Sequence, residues 1–170
     1  MAGKNYWETP WELVRACEAR WGKFGLDVCA TLFNSKGAVF ITEEMDGLAT
    51  PWDINRHLPC WMNPPYSDAA GKPCVRQWVE KAAAEAEKGA MVVALLNNDP
   101  STEWFRLAHD TCAEMWFLLG SRIRFELDGK IAGSPTQTHV IAVFRKLREG
   151  ERRKGGFWDW RSDAQKGAVA

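Results

Sequence analysis

The feature that most constrains this chain of 170 residues is an unbroken apolar run at residues 91–96, MVVALL. A strand that lacks polar alternation is covered on both faces, and such strands belong to parallel sheets with helices packed on each side. Shorter strand-like segments lie at residues 24–29 and 58–62, with a helical pattern before the first and after the second. The sequence therefore predicts an α/β domain around a single sheet.

The other segments extend this alternation along the chain. Helices are expected at residues 10–21, 75–88 and 99–108, and further strands at residues 38–42, 115–119, 122–127 and 138–144. Thr9 is expected to cap the first helix, with Glu12 completing a capping box. The last two strands are predicted to pair with each other across a turn at Asp128-Gly129. The expected result is a mostly parallel sheet with an antiparallel strand near the carboxyl terminus and helices on both faces.

Composition and cysteine spacing argue against several classes of protein. No apolar run reaches the ~18 residues that a membrane span requires, and the first ten residues lack the apolar core of a secretory signal. The cysteines are scattered and never form a CxxC pair: Cys17, Cys29, Cys60, Cys74 and Cys112. This spacing is typical of reduced thiols and not of a zinc site. We therefore expect a cytoplasmic protein with no membrane partner and no metal.

The placement of basic residues is more informative than their number. Basic and acidic side chains number 22 each, so the overall charge does not indicate a nucleic-acid partner. Basic residues are instead concentrated late in the chain, first at Arg122, Arg124 and Lys130 and then within residues 145–154. We divide the chain into a folded domain over residues 1–148 and a basic, polar tail over residues 149–170, which is expected to be solvated.

Three polar side chains fall where predicted strands end, namely Asp27, Glu43 and Asn63. The carboxyl ends of parallel strands meet at one edge of a sheet, and ligands of open α/β sheets bind beyond that edge. We therefore expect these side chains to lie on one rim. For Glu43 a solvated strand end is an equally good interpretation.

The segment WMNPPYS at residues 61–67 follows the third predicted strand and ends in a stiff, polar turn. Asn63 offers a side-chain carbonyl, Pro64 a rigid backbone carbonyl, and Tyr66 a flat aromatic face. Two acceptors beside an aromatic ring suit a planar group that carries an NH2, such as the exocyclic amine of a nucleobase. A base extruded from its duplex regains about 1–3 kcal/mol by stacking on such a ring. A proline-rich turn with a half-buried tyrosine is the structural alternative.

Together with several other blocks, this segment resembles the small phage-type DNA adenine-N6 methyltransferases, Dam-like enzymes that use S-adenosylmethionine. The resemblance extends over residues 6–144 and includes YWETP at 6–10, LDVCA at 26–30, DGL at 46–48, Trp52, NPPYS at 63–67 and RIRF at 122–125. The order and spacing of the blocks are the specific signal, because NPPY alone also resembles the motif of protein-glutamine and RNA adenine methyltransferases. The resemblance implies a single-domain Rossmann-like methyltransferase fold over residues 1–148.

The resemblance also implies roles for individual residues. The catalytic segment is Asn63, Pro64, Pro65 and Tyr66, in which Asn63 and Pro64 hold the target amine and Tyr66 stacks on the extruded adenine. The residues implied to bind S-adenosylmethionine are Trp7, Thr9, Pro10, Asp27, Ala30 and Asp46. The residues expected to contact DNA, from their places beside the motif and near the rim, are Ser67, Arg122, Arg124 and Lys130. The glycine-rich loop usual after the first strand is replaced by ATLFN at residues 30–34.

Several of these residues also have a structural interpretation. Asp27 in an apolar strand suits either a ligand site or a buried, hydrogen-bonded carboxylate. Asp46 suits either a site or a turn, and Trp7 either a cofactor pocket or the core. The histidines are isolated in the sequence and are interpreted as structural or surface residues: His57, His109 and His139.

We therefore expect an enzyme that transfers a methyl group from S-adenosylmethionine to the N6 amine of adenine in duplex DNA. Neither a covalent enzyme intermediate nor a metal is needed, because the amine itself attacks the methyl group. One alternative is a methyltransferase that acts on RNA adenine or on protein glutamine. Another is a catalytically silent, methyltransferase-like module that binds DNA. If the chain is phage-encoded, its site of action is the host cytoplasm. The sequence indicates neither the recognition sequence nor the oligomeric state.

Overall fold

The structure is a computed structural model, and it describes residues 8–52, 57–66, 74–120, 122–127, 129–133 and 136–167. The helices within these ranges are α1 (Trp11–Trp21), α2 (Val75–Glu87), α3 (Glu103–Thr111) and α4 (Trp160–Gly167). The strands are β1 (Leu26–Asp27), β2 (Val39–Phe40), β3 (Cys60–Met62), β4 (Val92–Asn97), β5 (Glu114–Leu118), β6 (Phe125–Leu127), β7 (Lys130–Gly133), β8 (His139–Phe144) and β9 (Lys154–Trp158).

Seven of the described strands form one sheet in the order β2-β1-β3-β4-β8-β5-β9. All neighbouring pairs in it are parallel except those of β8, which runs antiparallel to both β4 and β5. The predicted fold class is therefore confirmed: a mostly parallel sheet with an antiparallel strand near the carboxyl terminus. The arrangement is consistent with a single-domain, Rossmann-like methyltransferase fold.

The sheet is covered on both faces, as the apolar run at residues 91–96 predicts. In β4, Val92, Ala94 and Leu96 pack with residues of α2 and α3. The alternate side chains Val93 and Leu95 pack instead with residues of α1 and with Trp160 at the start of α4. This alternation gives one apolar layer on each side of β4, whose residues 92–96 are buried.

The predicted pairing of residues 122–127 with residues 138–144 is wrong. The first segment contains β6, which pairs with β7, and the second contains β8, which inserts between β4 and β5. All six residues of β8 are buried, so this strand satisfies its backbone and covers both its faces only at an interior position of the sheet. The β6-β7 hairpin is attached separately, through backbone hydrogen bonds between Glu8 and Glu126.

The expectation of a solvated tail after residue 148 is wrong for residues 154–160. Strand β9 pairs with β5 at the edge of the sheet, and Trp158 and Trp160 are both buried. The close approach of the two strands requires glycine at position 155, because a Cβ there would lie 2.7 Å from the Met115 carbonyl oxygen. The aromatic residues explain the error, since their burial outweighs the exposed basic residues Arg152 and Arg153.

Two further predictions concern the cysteines and membrane-spanning segments. All five cysteines are free thiols, as their spacing predicts. No helix in the described ranges has the length and apolar character needed to cross a membrane.

Candidate active site

A cavity of about 310 Å³ opens at the rim where the parallel strands end. It spans four adjacent strands, because its lining includes Asp27 from β1, Asn63 just after β3, Asn97 from β4 and His139 from β8. The other lining residues are Glu8, Thr9, Cys29, Asn34, Lys36, Trp61, Pro64, Pro65, Tyr66, Phe125, Thr136 and Gln137. The structure therefore brings the whole NPPY segment together with Thr9 and Asp27, as the sequence predicts.

Asn63 is held by Thr9, which lies 54 positions earlier in the chain. Its amide nitrogen Nδ2 donates a hydrogen bond of 3.3 Å to the Thr9 hydroxyl, which is only 2% exposed. Because Nδ2 is engaged with Thr9, the carbonyl oxygen Oδ1 is the atom that Asn63 can offer to a donor in the cavity. The predicted capping role of Thr9 is wrong: Pro10 takes the N-cap position and α1 has no side-chain cap.

The hydroxyl of Tyr66 is fixed by the backbone at the end of β4. It donates to the carbonyl oxygen of Leu95 at 3.1 Å and accepts from the amide of Asn97 at 2.8 Å. Burial raises the pKa of Tyr66 well above its usual value, so the phenol is neutral at physiological pH. The two bonds set the position of the aromatic ring in the cavity wall, a constraint that the sequence does not indicate.

Asp27 closes the loop that follows β1. Its two carboxylate oxygens accept backbone hydrogen bonds from Cys29 at 3.2 Å and from Lys36 at 2.8 Å. Burial raises the pKa of Asp27 to about 6, against the lowering effect of these bonds and of the Lys36 charge. The side chain also lines the cavity, so the structural and ligand-facing interpretations of Asp27 both describe its position.

The loop after β1 has no glycine at residues 30–34, but it ends at Gly37, where glycine is required. A Cβ at Gly37 would lie 2.6 Å from the backbone nitrogen of Asp27, so only glycine permits this approach. Within the loop, the Thr31 amide donates to the Asn34 side chain at 2.7 Å. A buried carboxylate and a local turn therefore hold the backbone where glycine-rich loops rely on conformational freedom.

Lys36 is a cavity residue that sequence reasoning missed. Its side chain is 4% exposed, and its ammonium lies 3.7 Å from the Glu8 carboxylate and 4.5 Å from the centre of the Trp11 ring. Burial lowers the pKa of Lys36, while the charges of Glu8 and Asp27 oppose that change. Among the described residues that line the cavity, Lys36 is the single lysine or arginine. A lysine between serine and glycine has the pattern of a solvated loop, so no signal in the sequence marked it.

Residues at the other end of the cavity were also missed, most clearly His139. Its side chain is 5% exposed, and its Nδ1 has no hydrogen-bond partner among the described residues. The ring lies against Phe125, with the ring centres 5.4 Å apart. Burial lowers the pKa of His139 to about 4, so its imidazole is neutral. His57 and His109 are exposed and lie outside the lining, which separates three histidines that look alike in sequence.

Other residues assigned from the sequence lie outside the cavity lining. Pro10 and Ala30 directly follow the lining residues Thr9 and Cys29 in the chain, but neither of them lines the cavity. Asp46 is exposed, and its carboxylate accepts backbone hydrogen bonds from Leu48 at 3.1 Å and Ala49 at 3.3 Å, as its interpretation as a turn residue predicts. Trp7 and Ser67 lie outside the described residues. The cofactor roles of Trp7, Pro10, Ala30 and Asp46 and the DNA contact of Ser67 stay predictions.

The basic residues assigned to DNA flank the cavity. Arg122, Arg124 and Lys130 are exposed, whereas Phe125 beside them is buried and lines the cavity. The chain leaves β5 at the rim, passes through the hairpin and returns at the start of β8, so the hairpin belongs to the same edge of the sheet. Within the described residues, histidine, cysteine and carboxylate side chains form no group of three that could hold a metal ion.

Comparisons with known proteins agree with this geometry. A family model described as DNA N-6-adenine-methyltransferase (Dam) matches residues 1–156. A DNA N-6-adenine-methyltransferase of Escherichia phage T1 is 31% identical over 166 aligned residues, which cover 88% of this chain and 66% of the relative. A protein of the same name from Haemophilus phage HP1 is 37% identical over 123 residues, which cover 72% of this chain and 66% of the relative. This chain thus spans just under two thirds of the length of either relative, and it belongs to the DNA N-6-adenine-methyltransferase (Dam) family.

Proposed function

We propose that this protein transfers a methyl group from S-adenosylmethionine to the N6 amine of adenine in duplex DNA. The observation that carries the proposal is the cavity in which Asn63, oriented by Thr9, lies between Asp27 of β1 and His139 of β8 in the order of the strands. Membership of the family and the names of both phage relatives support the same activity. Because the relatives are phage proteins, the proposed place of action is the cytoplasm of a bacterial host.

The cavity residues Asp27 and Lys36 fit the amino-acid part of the cofactor. That part carries a carboxylate and an ammonium group, and Lys36 and Asp27 offer the opposite charges at neighbouring positions of the lining. Lys36 would hold the carboxylate, and Asp27 would face the positive charge, which favours its ionised form. When bound, S-adenosylmethionine supplies an electrophilic methyl group on a positively charged sulfur.

The middle of the cavity suits the acceptor amine. The nitrogen lone pair of adenine N6 is delocalised into the ring, so the free amine is a poor nucleophile. Oδ1 of Asn63 and the backbone carbonyl of Pro64 would accept the two N–H groups, which favours a localised lone pair. The contribution of these residues is orientation and hydrogen bonding to a group that changes geometry, both of which accelerate reactions without a covalent intermediate.

The order of the strands supports an arrangement of the substrate in the cavity. Neighbouring strands in a sheet are ~4.8 Å apart, so Asp27 on β1 and His139 on β8 are ~14 Å apart measured sideways across the strands, and His139 also lies farther along the strand direction, because Asp27 is level with Val93 and His139 with Asn97. Asn63, just after β3, lies one strand from Asp27 and two strands from His139. The cofactor would therefore lie over β1, the amine at β3, and the ring of the base over β4 and β8.

A pH dependence of cofactor binding follows from Asp27. Its pKa of about 6 means that most of these carboxyl groups are protonated at pH 5 and ionised at pH 7. A ligand that places positive charge there binds the ionised form, so its affinity should rise about tenfold from pH 5 to pH 7. Calorimetric titration with S-adenosylmethionine measures this directly. In Asp27→Asn the affinity should be lower at pH 7 and nearly independent of pH over this range.

The same pKa shift makes the stability of the protein without cofactor change with pH in the opposite direction: stability rises as pH falls, whereas cofactor affinity falls. Because the folded protein takes up a proton at Asp27 more readily than the unfolded chain, the contribution of Asp27 to the free energy of unfolding increases as pH falls from about 6 to about 4. Wild-type protein should gain stability relative to Asp27→Asn over that interval. A wild type and variant whose difference in melting temperature does not change with pH would contradict the assigned ionisation.

A salt dependence of DNA binding follows from the exposed basic residues of the hairpin. If Arg122, Arg124 and Lys130 contact phosphates, changing any one to alanine should lower the slope of log affinity against log salt by about one. A contact to a base edge would instead relax the recognition sequence. Arg152→Ala is a matched control, because this exposed arginine precedes β9 at the opposite edge of the sheet. Equal slopes for the hairpin variants and the control would place the DNA on another surface.

The decisive experiment for the proposed function is a methyl-transfer assay on defined acceptors. The protein is incubated with S-adenosylmethionine labelled in its methyl group and with unmethylated duplex DNA, and the digested nucleosides are then identified. We expect label in N6-methyldeoxyadenosine. RNA and a glutamine-containing peptide are offered in parallel, and label confined to either one would assign the chemistry to another acceptor. Cofactor binding without transfer to any acceptor would indicate a silent DNA-binding module.

A further inference from the structure

His139 lines the cavity and carries a buried hydrogen-bonding atom without a partner among the described residues. The side chain is almost completely buried, yet its Nδ1 meets no hydrogen-bond partner among the described residues. A buried polar atom without a partner destabilises a fold, so its presence in a cavity requires an explanation. A ligand group that completes the hydrogen bond supplies one.

The position of His139 on the sheet is the second observation. In the pairing of β4 with β8, His139 is directly opposite Asn97, whose amide donates to the Tyr66 hydroxyl. The imidazole is therefore one strand beyond the anchor of Tyr66, on the side away from Asp27. A planar molecule whose amine is held at Asn63 would extend toward this histidine.

The surroundings of His139 match an uncharged aromatic ligand. Its ring lies against Phe125, it pairs with Asn97 across the two strands, and Thr136 and Gln137 precede it in the chain and also line the cavity; none of these four residues is charged. The low pKa of His139 keeps its imidazole neutral at physiological pH, with one nitrogen as a donor and the other as an acceptor. A neutral base with ring nitrogens on its edge is the kind of partner that such a group recognises.

We infer that His139 forms a hydrogen bond from its imidazole to a ring nitrogen on the edge of the extruded adenine. This inference rests on the proposed function and adds a specificity residue to it. Tyr66 and Asn63 present a flat face and an acceptor for an amine, and cytosine also offers a planar ring with an exocyclic amine. Cytosine N3 corresponds to adenine N1, so a donor from His139 separates the two bases when it reaches N7, which cytosine lacks, and the NPPY segment alone offers no such contact.

The test compares two substitutions at His139. His139→Leu removes the hydrogen-bonding atoms and keeps an apolar side chain, and His139→Asn keeps a polar group close to the position of Nδ1. We expect His139→Leu to lower kcat/KM for adenine methylation about 5- to 100-fold, the range for loss of one hydrogen bond in a closed site. His139→Asn should recover part of that loss. The melting temperature of His139→Leu should equal or exceed that of the wild type, because an unpaired buried polar atom has been removed.

Modified substrates identify the atom that is read. Duplexes in which adenine is replaced by 7-deazaadenine or 1-deazaadenine lack one ring nitrogen each. Wild-type protein should lose activity with one of these duplexes by about the factor that His139→Leu loses with adenine, and His139→Leu should be insensitive to the same replacement. Binding of S-adenosylmethionine, measured by calorimetry, should not differ between the wild type and either variant.

The outcomes separate the inference from the proposed function. A wild type that methylates no adenine defeats the proposed function. A wild type that methylates adenine, with a His139→Leu variant that is as active as the wild type or that loses as much activity as the wild type with the same deaza substrate, overturns the role of His139 alone. If His139→Leu does not fold, the wild type decides alone: equal activity with adenine and with both deaza substrates overturns the inference.

Discussion

Asn63→Ala should lower kcat by about 100- to 1000-fold, the usual effect of removing one positioned hydrogen-bonding partner of a reacting group. The substitution removes Oδ1, the acceptor proposed for the target amine, and also the Nδ2 donor that meets Thr9. Single-turnover methylation with labelled cofactor measures the chemical step. Calorimetric affinity for S-adenosylmethionine and the melting temperature should remain near their wild-type values, because Asn63 is half-buried at the rim and outside the apolar layers.

Two further substitutions sharpen this test. Asn98→Ala truncates an amide that bonds to Thr138 near the same rim but does not line the cavity, so it should leave kcat unchanged. Thr9→Val keeps the shape of the side chain and removes the acceptor that orients Asn63, so it should cause a loss intermediate between the other two. Near-wild-type turnover by Asn63→Ala would remove the central claim of the proposed mechanism. A loss as large with Asn98→Ala would show that the rim is merely sensitive to substitution.

Tyr66→Ala should lower kcat/KM for DNA methylation by about 5- to 150-fold, which corresponds to the loss of ~1–3 kcal/mol of base stacking. Tyr66→Phe keeps the ring and should retain most of that activity. The structure adds an expectation for stability: without the hydroxyl, the backbone amide of Asn97 loses its acceptor, and the free energy of unfolding should fall by about 1 kcal/mol. The phenylalanine variant should therefore be less stable but active.

These two readouts distinguish the ring from the hydroxyl. Activity is measured with duplex DNA at saturating cofactor, and stability by thermal unfolding without DNA. If Tyr66→Phe loses as much activity as Tyr66→Ala, the position fixed by Leu95 and Asn97 matters more than the aromatic face. If Tyr66→Ala retains full activity, the extruded base does not stack on this ring.

Features that depend on local sequence were predictable. An apolar run of six residues can be covered only from both sides, so β4 and its two helical layers follow from residues 91–96. The motif at Asn63 follows a strand in any parallel arrangement, which places it on the rim with Asp27. The resemblance of several ordered blocks to one family then gave the chemistry that the family match supports.

Features that depend on pairing between distant segments were not predictable. A turn at Asp128-Gly129 fits a hairpin with either neighbouring segment, and only the burial of all of β8 places that strand between β4 and β5. Lys36 and His139 carry no local pattern that marks a site. Lys36 becomes a cavity residue because its loop folds back onto Asp27, and His139 does so because β8 begins beside the end of β4; both contacts exist only in the folded chain.

The loop after β1 has a consequence for how freely its sequence can change. A glycine-rich loop is constrained at several positions at once, because each glycine supplies a conformation that other residues avoid. Here the backbone is held from outside the loop by Asp27, and the close approach is confined to Gly37. Leu32 and Phe33 project from the loop at 68% and 90% exposure. Their side chains can be exchanged, or the tip lengthened by insertion, without altering the two anchoring residues, which makes this edge of the cavity open to variation by evolution or design.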